Sequence, residues 1–484
     1  MSATFSALRQ IKKTFTKTVL FGNKPSAELF AILSVYFVQG ILGLARLAVS
    51  FFLKDDLGLT PAQMGALTGI AAIPWVIKPL FGFISDGLPI FSYRRRPYLV
   101  ISGLLGSLSW ILLATVVSNV WLATVTLLLT SLSVAISDVI VDSLVVERAR
   151  KESLSQAGSL QSLTWGVSAF GGLITAYLSG LLLERFSNQI VFEITAIFPF
   201  IVCLAAWLIA EEPVSKNELL SQQDQSLVKQ QIKQVWKAIK QKSIFLPTAF
   251  VFLWQATPNG DSAFFYFATN ELGFEPEFLG RVRLVTSVAA LLGVLIYQKF
   301  LKNVSFRNIL GWSVVISSAL GMTTLLLVTH TNRLLGIDDH WFSLGDSLIL
   351  TVAGQIAFLP ILVLSARLCP KGIEATLFAL LMSIVNLANL LSHELGSLLT
   401  HWLGVTETNF NNLWLLITIT NLSTLLPLPL VKWLPNNDPQ AEELEEQENI
   451  SYVGEVYEGK ALGTVTDDAL IPDVIPEFIT NKKK

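Results

Sequence analysis

About twelve apolar stretches follow one another along this chain, each roughly 20 residues long, which is the length an α-helix needs to cross a hydrocarbon core. They fall near 29–53, 62–84, 98–117, 120–143, 158–183 and 189–210, then near 244–269, 279–299, 308–329, 347–367, 375–400 and 412–433. In lipid every backbone polar group must be satisfied within its own segment, so such stretches fold as helices and not as open strands. The composition agrees: 52% of the residues are hydrophobic and only 14% are charged. A water-soluble chain of 484 residues needs more charge than this to cover its surface.

The stretches divide into two sets of six, separated by the polar segment 211–243, which contains QQDQSLVKQQIKQVWKAIKQK and reads as an amphipathic linker helix. The two sets are related in sequence. FFLKDDLGLTPAQMG at 51–65 and YFATNELGFEPEFLG at 266–280 align at Leu57 and Leu272, an offset of 215, which also matches Gly58 with Gly273, Pro61 with Pro276 and Gly65 with Gly280. Each copy joins the first apolar segment of its set to the second. Two tandem halves of the same sense are the plan of one large class of transporters. The expected fold is therefore an all-α membrane protein of twelve transmembrane helices in two pseudo-symmetric six-helix halves. Its parts are a basic N-terminus at 1–28, a first half at 29–210, the linker at 211–243, a second half at 244–433 and an acidic tail at 434–484 read as disordered.

Lysine and arginine in the loops set the orientation. With the N-terminus inside, the inner loops and termini flanking the spans hold 22 cations and the outer loops hold 5. Both termini are thus expected in the cytoplasm, with the chain in a plasma or inner membrane. The basic start also allows a plastid inner envelope if the source is a plant.

Between the second and third segments, Gly82-Phe-Ile-Ser-Asp86 is followed by Arg94, Arg95 and Arg96. The loop resembles the major facilitator signature, with its spacing stretched by Leu88-Pro89-Ile90-Phe91. It suggests an inner gate in which Asp86 and the three arginines meet Asp142 at the inner end of the fourth helix. The blocks PWVIKPLFGFISDGLPIFSYRRRPY, FFLKDDLGLTPA, SDVIVDSLVVERAR, NELGFEPEFLGRVRLV and ARLCPKGIEATLFALLM closely resemble the folate–biopterin transporter family, over about residues 30–430. That family has a major-facilitator-like architecture and occurs in cyanobacteria, plant plastids and some protozoa. The resemblance implies a proton-coupled secondary carrier of folates or pterins. The residue patterns by themselves establish only a transporter of two halves.

Ionisable groups within apolar spans are costly and face a cavity or a partner. Arg46 and Asp261 stand out because they too are 215 residues apart and occupy matching places on the first helix of each half. They are expected to face one cavity, as a substrate clamp, a gate or a static ion pair. Asp261 is the first candidate for the proton-coupling acid. Lys78 follows Pro74 and Trp75 and precedes Pro79, a pair of prolines that bends the second helix. It either faces substrate or extends toward the inner headgroups. Asp138 and Asp142 lie one helical turn apart and are read as substrate contact or latch. The run Thr257-Pro258-Asn259-Gly260-Asp261 breaks the seventh helix. Trp75, Trp165 and Phe264 are candidates for stacking on a flat ring, each weighed against plain packing. Glu394, beside His393, is read as polar packing or an outer gate. Arg281 and Arg283 are placed near Glu271 as headgroup anchors.

No enzyme motif occurs: the four histidines lack metal-ligand spacing, and no phosphate loop or nucleophile elbow is present. No cofactor, metal or nucleic-acid partner is expected. The expected partners are the bilayer, a small organic substrate and protons, acting on a monomer. The rival within the class is a carrier of another organic anion. A rival from another class is a membrane receptor or scaffold, which a polar cavity between the halves would argue against.

Overall fold

A computed structural model of the chain describes residues 20, 23–149, 154–214, 233–301, 304–369 and 374–436. The first half consists of α1 (Ala27–Asp56), α2 (Pro61–Gly87), α3 (Arg96–Thr115), α4 (Val120–Ala149), α5 (Leu154–Arg185) and α6 (Asn188–Leu208). The second half consists of α7, α8 (Pro276–Leu301), α9 (Phe306–Val328), α10 (Asp339–Arg367), α11 (Glu374–Trp402) and α12 (Leu413–Trp433). Eleven of these are long and apolar enough to span a bilayer. The twelfth, α7, falls short of that length only because it is broken into Lys242–Gln255 and a second piece that runs from Asp261 to Glu271. Of the expected linker helix, 215–232 lie outside the described residues, and a helical turn at 233–239 leads into α7. The tail from 437 onward and most of the basic N-terminus lie outside them too.

The internal repeat is a repeat of backbone geometry. The last turn of α1 widens into a π-helix over Phe52–Asp56, and that of α7 does so over Phe267–Glu271. Leu57 then donates its N–H to the Phe52 carbonyl and Leu272 to that of Phe267, both at 3.0 Å. Next comes a glycine in the left-handed region, Gly58 at φ +63° and Gly273 at φ +68°, a conformation that side chains with a Cβ disfavour. A proline follows at the first position of the next helix, where its missing N–H costs nothing. The copies differ at the cap. Thr60 forms a capping box with Gln63, whereas Glu275 at the matching place makes no side-chain cap.

The halves match at mid-helix as well. α1 tightens into a 3₁₀ turn over Leu42–Leu44, and α7 loses its helix between Gln255 and Asp261 at the positions 215 residues on. Pro258 and Gly260 explain why the second break is complete. The backbone groups released there are recaptured by α11. Asn259 N–H reaches the Ser392 carbonyl at 3.3 Å, and Ser392 Oγ donates to the Thr257 carbonyl at 2.6 Å. α2 shows the same logic. Pro79 has no N–H to offer the Trp75 carbonyl, and Asn386 Nδ2 of α11 supplies one at 3.0 Å.

Named contacts between the halves gather at the end of the bundle carrying the α1–α2 and α7–α8 turns, here the turn end. The opposite end, carrying the α2–α3 loop, is the linker end. At the turn end Gly180 of α5 meets the backbone of Pro276 and Gly280 on α8, and Gly65 of α2 meets Ser262 and Ser397 on α7 and α11. Gly65 and Gly280 are repeat partners, so the two seams are symmetry mates. Phe51 and Phe265 stack edge to face with centroids 5.3 Å apart, and the Tyr266 hydroxyl donates to the Leu59 carbonyl. The outer surfaces of the helices expose large apolar side chains, among them Leu104, Leu108, Leu295 and Trp312, which suits contact with lipid.

Candidate functional site

The first half holds a charged cluster at the junction of α1, α2 and α4. Lys78 starts the last piece of α2, just past the interruption at Ile77, so its side chain projects toward α4. There it pairs with Asp138 and, at 3.1 Å, with Asp142. The two carboxylates are one turn apart on one face, as their spacing predicts. α1 completes the cluster: the Tyr36 hydroxyl donates to Asp142 at 2.5 Å and Gln39 Nε2 donates to Asp138 at 3.0 Å. The Lys78 ammonium also lies 5.7 Å from the centre of the Trp75 ring. One cation thus faces two anions, a cluster of net charge −1 largely withdrawn from water.

In the second half, Asp261 is the first residue of the resumed α7, with its backbone N–H 3.4 Å from Asn259 Oδ1. His393 of α11 is the charged neighbour that acts on it. The same His393 lies 3.3 Å from the Asn259 amide. Glu394, the next residue, is wedged against Gly69 of α2, and its Oε1 has no hydrogen-bond partner among the described residues.

Arg46 stands one turn past the α1 constriction with its side chain exposed. No ion pair joins it to Asp261 among the described residues. Its charged neighbour is Arg283 of α8, whose Nη1 lies 3.4 Å from the Gly43 carbonyl and 3.5 Å from Ser179 Oγ of α5. The headgroup role expected for Arg283 is therefore corrected: it points between the halves. Arg281 pairs with Glu277 at 2.7 Å and not with Glu271, because Glu277 sits one turn before it on the same helix. Tyr177 of α5 also donates to Glu277, at 3.0 Å.

At the linker end, Arg95 bridges Asp86 at 2.7 Å and Glu147 at 2.9 Å. Asp142 takes no part in this contact, contrary to the gate expected from sequence. It faces Lys78, and Glu147, further along α4, is the acid that Arg95 reaches. Backbone N–H groups of Arg94, Arg95 and Arg96 all donate to the Glu211 carboxylate, at 2.5–2.9 Å. An anion there satisfies the open N–H groups at the start of α3. The Arg96 guanidinium donates to the Ile209 carbonyl and stacks over Tyr93 and Trp207.

The aromatic candidates separate. Trp75 belongs to the Lys78 cluster. Phe264 packs with Phe267, Leu327 and Leu413 of the second half. Trp165 is 61% exposed and makes no ring contact among the described residues. Sequence reasoning missed Tyr36, Gln39, Glu147 and Glu211, polar residues whose importance shows only when α1, α4 and the segment after α6 are brought beside their partners. It also missed Asp346 of α10, whose carboxylate accepts from Thr323 and Thr324 at 2.5 and 2.9 Å where α9 is interrupted.

The architecture is that of known transporters. It superposes on the nucleoside transporter NupG with a TM-score of 0.62, covering 84% of this chain and 98% of that one at 15% identity. On a D-xylose–proton symporter the TM-score is 0.61, with 85% and 99% covered at 15% identity. In sequence the chain is 62% identical to the folate-biopterin transporter of Synechocystis sp., over 96% of this chain and 95% of that protein. It is 33% identical to folate transporter 2 of Plasmodium falciparum, with 84% and 89% covered, and 33% identical to probable folate-biopterin transporter 2 of Arabidopsis thaliana, with 87% and 85% covered. The BT1 family model matches residues 39–452. With that match across both halves and a major facilitator fold beneath it, the chain belongs to the BT1 family and is a membrane transporter of small molecules, not an enzyme.

Proposed function

We propose that this protein carries folates or pterins across a membrane by alternating access, driven by protons. The observation that carries the substrate is the 62% identity, along nearly the whole length of both chains, to a protein named as a folate-biopterin transporter. The charged groups between the helices suit that substrate. A pterin ring presents an N–H beside an amino group, which a carboxylate such as Asp138 or Asp261 can accept in two parallel hydrogen bonds. Trp75 offers a face for the ring. A folate adds carboxylates, which Arg46 and Lys78 can bind.

Coupling is assigned to Asp261, an acid on a broken helix with no basic partner closer in charge than His393. Substrate capture at Arg46 on the other half then accompanies protonation of Asp261, and the two halves rock about the turn-end seams. The linker end faces the cytoplasm by its excess of lysine and arginine, with both termini there, in a plasma or inner membrane. The unit of transport is the monomer.

The test is counterflow in proteoliposomes preloaded with unlabelled folic acid. Radiolabelled folic acid should accumulate, and biopterin should compete where unrelated organic anions do not. Competition by unrelated dicarboxylates as strong as that by biopterin would assign the protein to another anion class.

A further inference from the structure

We infer that Arg46 and Arg283 together form a two-point site for a dianion, of the kind presented by an α,γ-dicarboxylate tail on an aromatic amide. The inference rests on the carrier reading above and names the part of the substrate bound there. The two arginines come from different halves, α1 and α8. Arg283 reaches across to the Gly43 carbonyl, and Gly43 stands one turn before Arg46 on the same face of α1. The two guanidinium groups thus share one space, walled on the third side by Ser179 of α5.

What is notable is the sign of the charges. Two permanently charged groups face each other with no carboxylate between them among the described residues. The acids on neighbouring elements are engaged elsewhere: Glu277 with Arg281 and Tyr177, Asp55 with Lys54. The hydrogen bonds that Arg283 makes are long, at 3.4 and 3.5 Å, and both acceptors are neutral. An arginine fork binds a carboxylate through two parallel hydrogen bonds, so a pair of forks matches a pair of carboxylates. A single carboxylate would leave one guanidinium uncompensated.

Position gives the site a mechanical role. Arg283 lies seven residues into α8 from Pro276, about 10 Å below the turn end at 1.5 Å per residue. Arg46 lies ten residues before Asp56, about 15 Å below it. The pair sits just beneath the Gly180–Gly280 seam. Empty, the two like charges push the halves apart under the seal. Filled by a dianion, they are drawn together. A ligand that interacts differently with the open and closed arrangements shifts their balance, and here the difference is a reversal of electrostatic sign.

The test uses the full-length purified protein with N-(4-aminobenzoyl)glutamate, which carries the dicarboxylate tail and no pterin, and with biopterin, which carries a pterin and no carboxylate. Binding is read by thermal stabilisation, and folic acid uptake is read in proteoliposomes. Arg283→Gln and Arg46→Gln should each weaken aminobenzoylglutamate at least tenfold and lower the folic acid to biopterin affinity ratio by a similar factor. Arg283→Lys should fall between wild type and Arg283→Gln, and it carries the test if the glutamine variant fails to fold. Equal loss of folic acid and biopterin affinity in these variants, or no aminobenzoylglutamate binding by the wild type, overturns the site. If aminobenzoylglutamate binding depends on both arginines while no pterin is carried, the site stands and the folate reading falls. If folic acid is carried equally well by the wild type and all three variants, the reading stands and the site falls.

Discussion

Gly58 and Gly273, 215 residues apart, hold the same left-handed backbone within 5° of each other in φ, and each follows a π-turn of five residues. No atom would crowd a Cβ at either place, so alanine there strains the backbone alone. Gly58→Ala and Gly273→Ala should each destabilise the protein by about 1 kcal/mol. The two losses should be equal and additive, since the turns are independent. Thermal unfolding in detergent measures this, and a loss at only one of the two turns would show that the copies are not energetically equivalent.

The Lys78 cluster should respond unevenly to neutralisation. Lys78→Ala leaves two carboxylates facing each other and should cost roughly 3 kcal/mol, with uptake falling at least a hundredfold. Removing one acid as well, in Lys78→Ala/Asp138→Asn, should recover part of the stability and little of the uptake. A double-mutant cycle on melting temperature separates the pair from its parts. A fully additive result would mean that Lys78 and Asp138 do not interact.

Glu211 receives three backbone N–H groups at the start of α3. Glu211→Gln removes the charge and half of the accepting capacity, at a cost of about 1–2 kcal/mol. Because the α2–α3 loop is held through this residue, proteolysis within that loop should quicken in the variant. Unchanged cleavage would place the anchoring of the loop on Arg95 alone.

Proton coupling through Asp261 predicts the sign of the pH profile. Uptake should rise as the outside is acidified and fall as the pH rises, because each cycle consumes a proton from that side. Asp261→Asn cannot exchange a proton and should flatten the profile while leaving substrate exchange within about tenfold of wild type. Folate uptake against pH in membrane vesicles decides it: a wild-type profile in Asp261→Asn moves the coupling acid elsewhere, with Asp138 the next to examine.

A bulky residue at the α5–α8 seam should hold the turn end open. Gly280→Leu places a side chain against the Gly180 backbone. Labelling of a cysteine at Ser262 from the turn side should increase severalfold, and uptake should fall at least tenfold. Unaltered labelling would mean that the seam is not part of the seal.

The fold was legible in the sequence for a physical reason. Apolar length and glycine–proline punctuation are local signals, and the π-turn, left-handed glycine and helix-starting proline all lie within about ten residues of chain. The break in α7 was equally legible from Pro258 and Gly260. Side-chain partners were not, because they depend on helix rotation and depth. Arg46 and Asp261 were matched correctly as repeat partners, yet equivalence by symmetry does not imply contact, and each meets a different neighbour. Asp142 was assigned to the arginines by its nearness in depth. The structure gives it instead to Lys78, which the α2 interruption turns toward α4.

The seam between Gly180 and Gly280 is a place where two polypeptide backbones touch with nothing interposed. No rotamer there has to be released before the halves part, and none has to be found again when they return. Such a joint behaves as a bearing: it bears load when closed and adds little friction to the stroke. The tempo of the cycle is then left to the charges beneath it, which can be reset by what they hold.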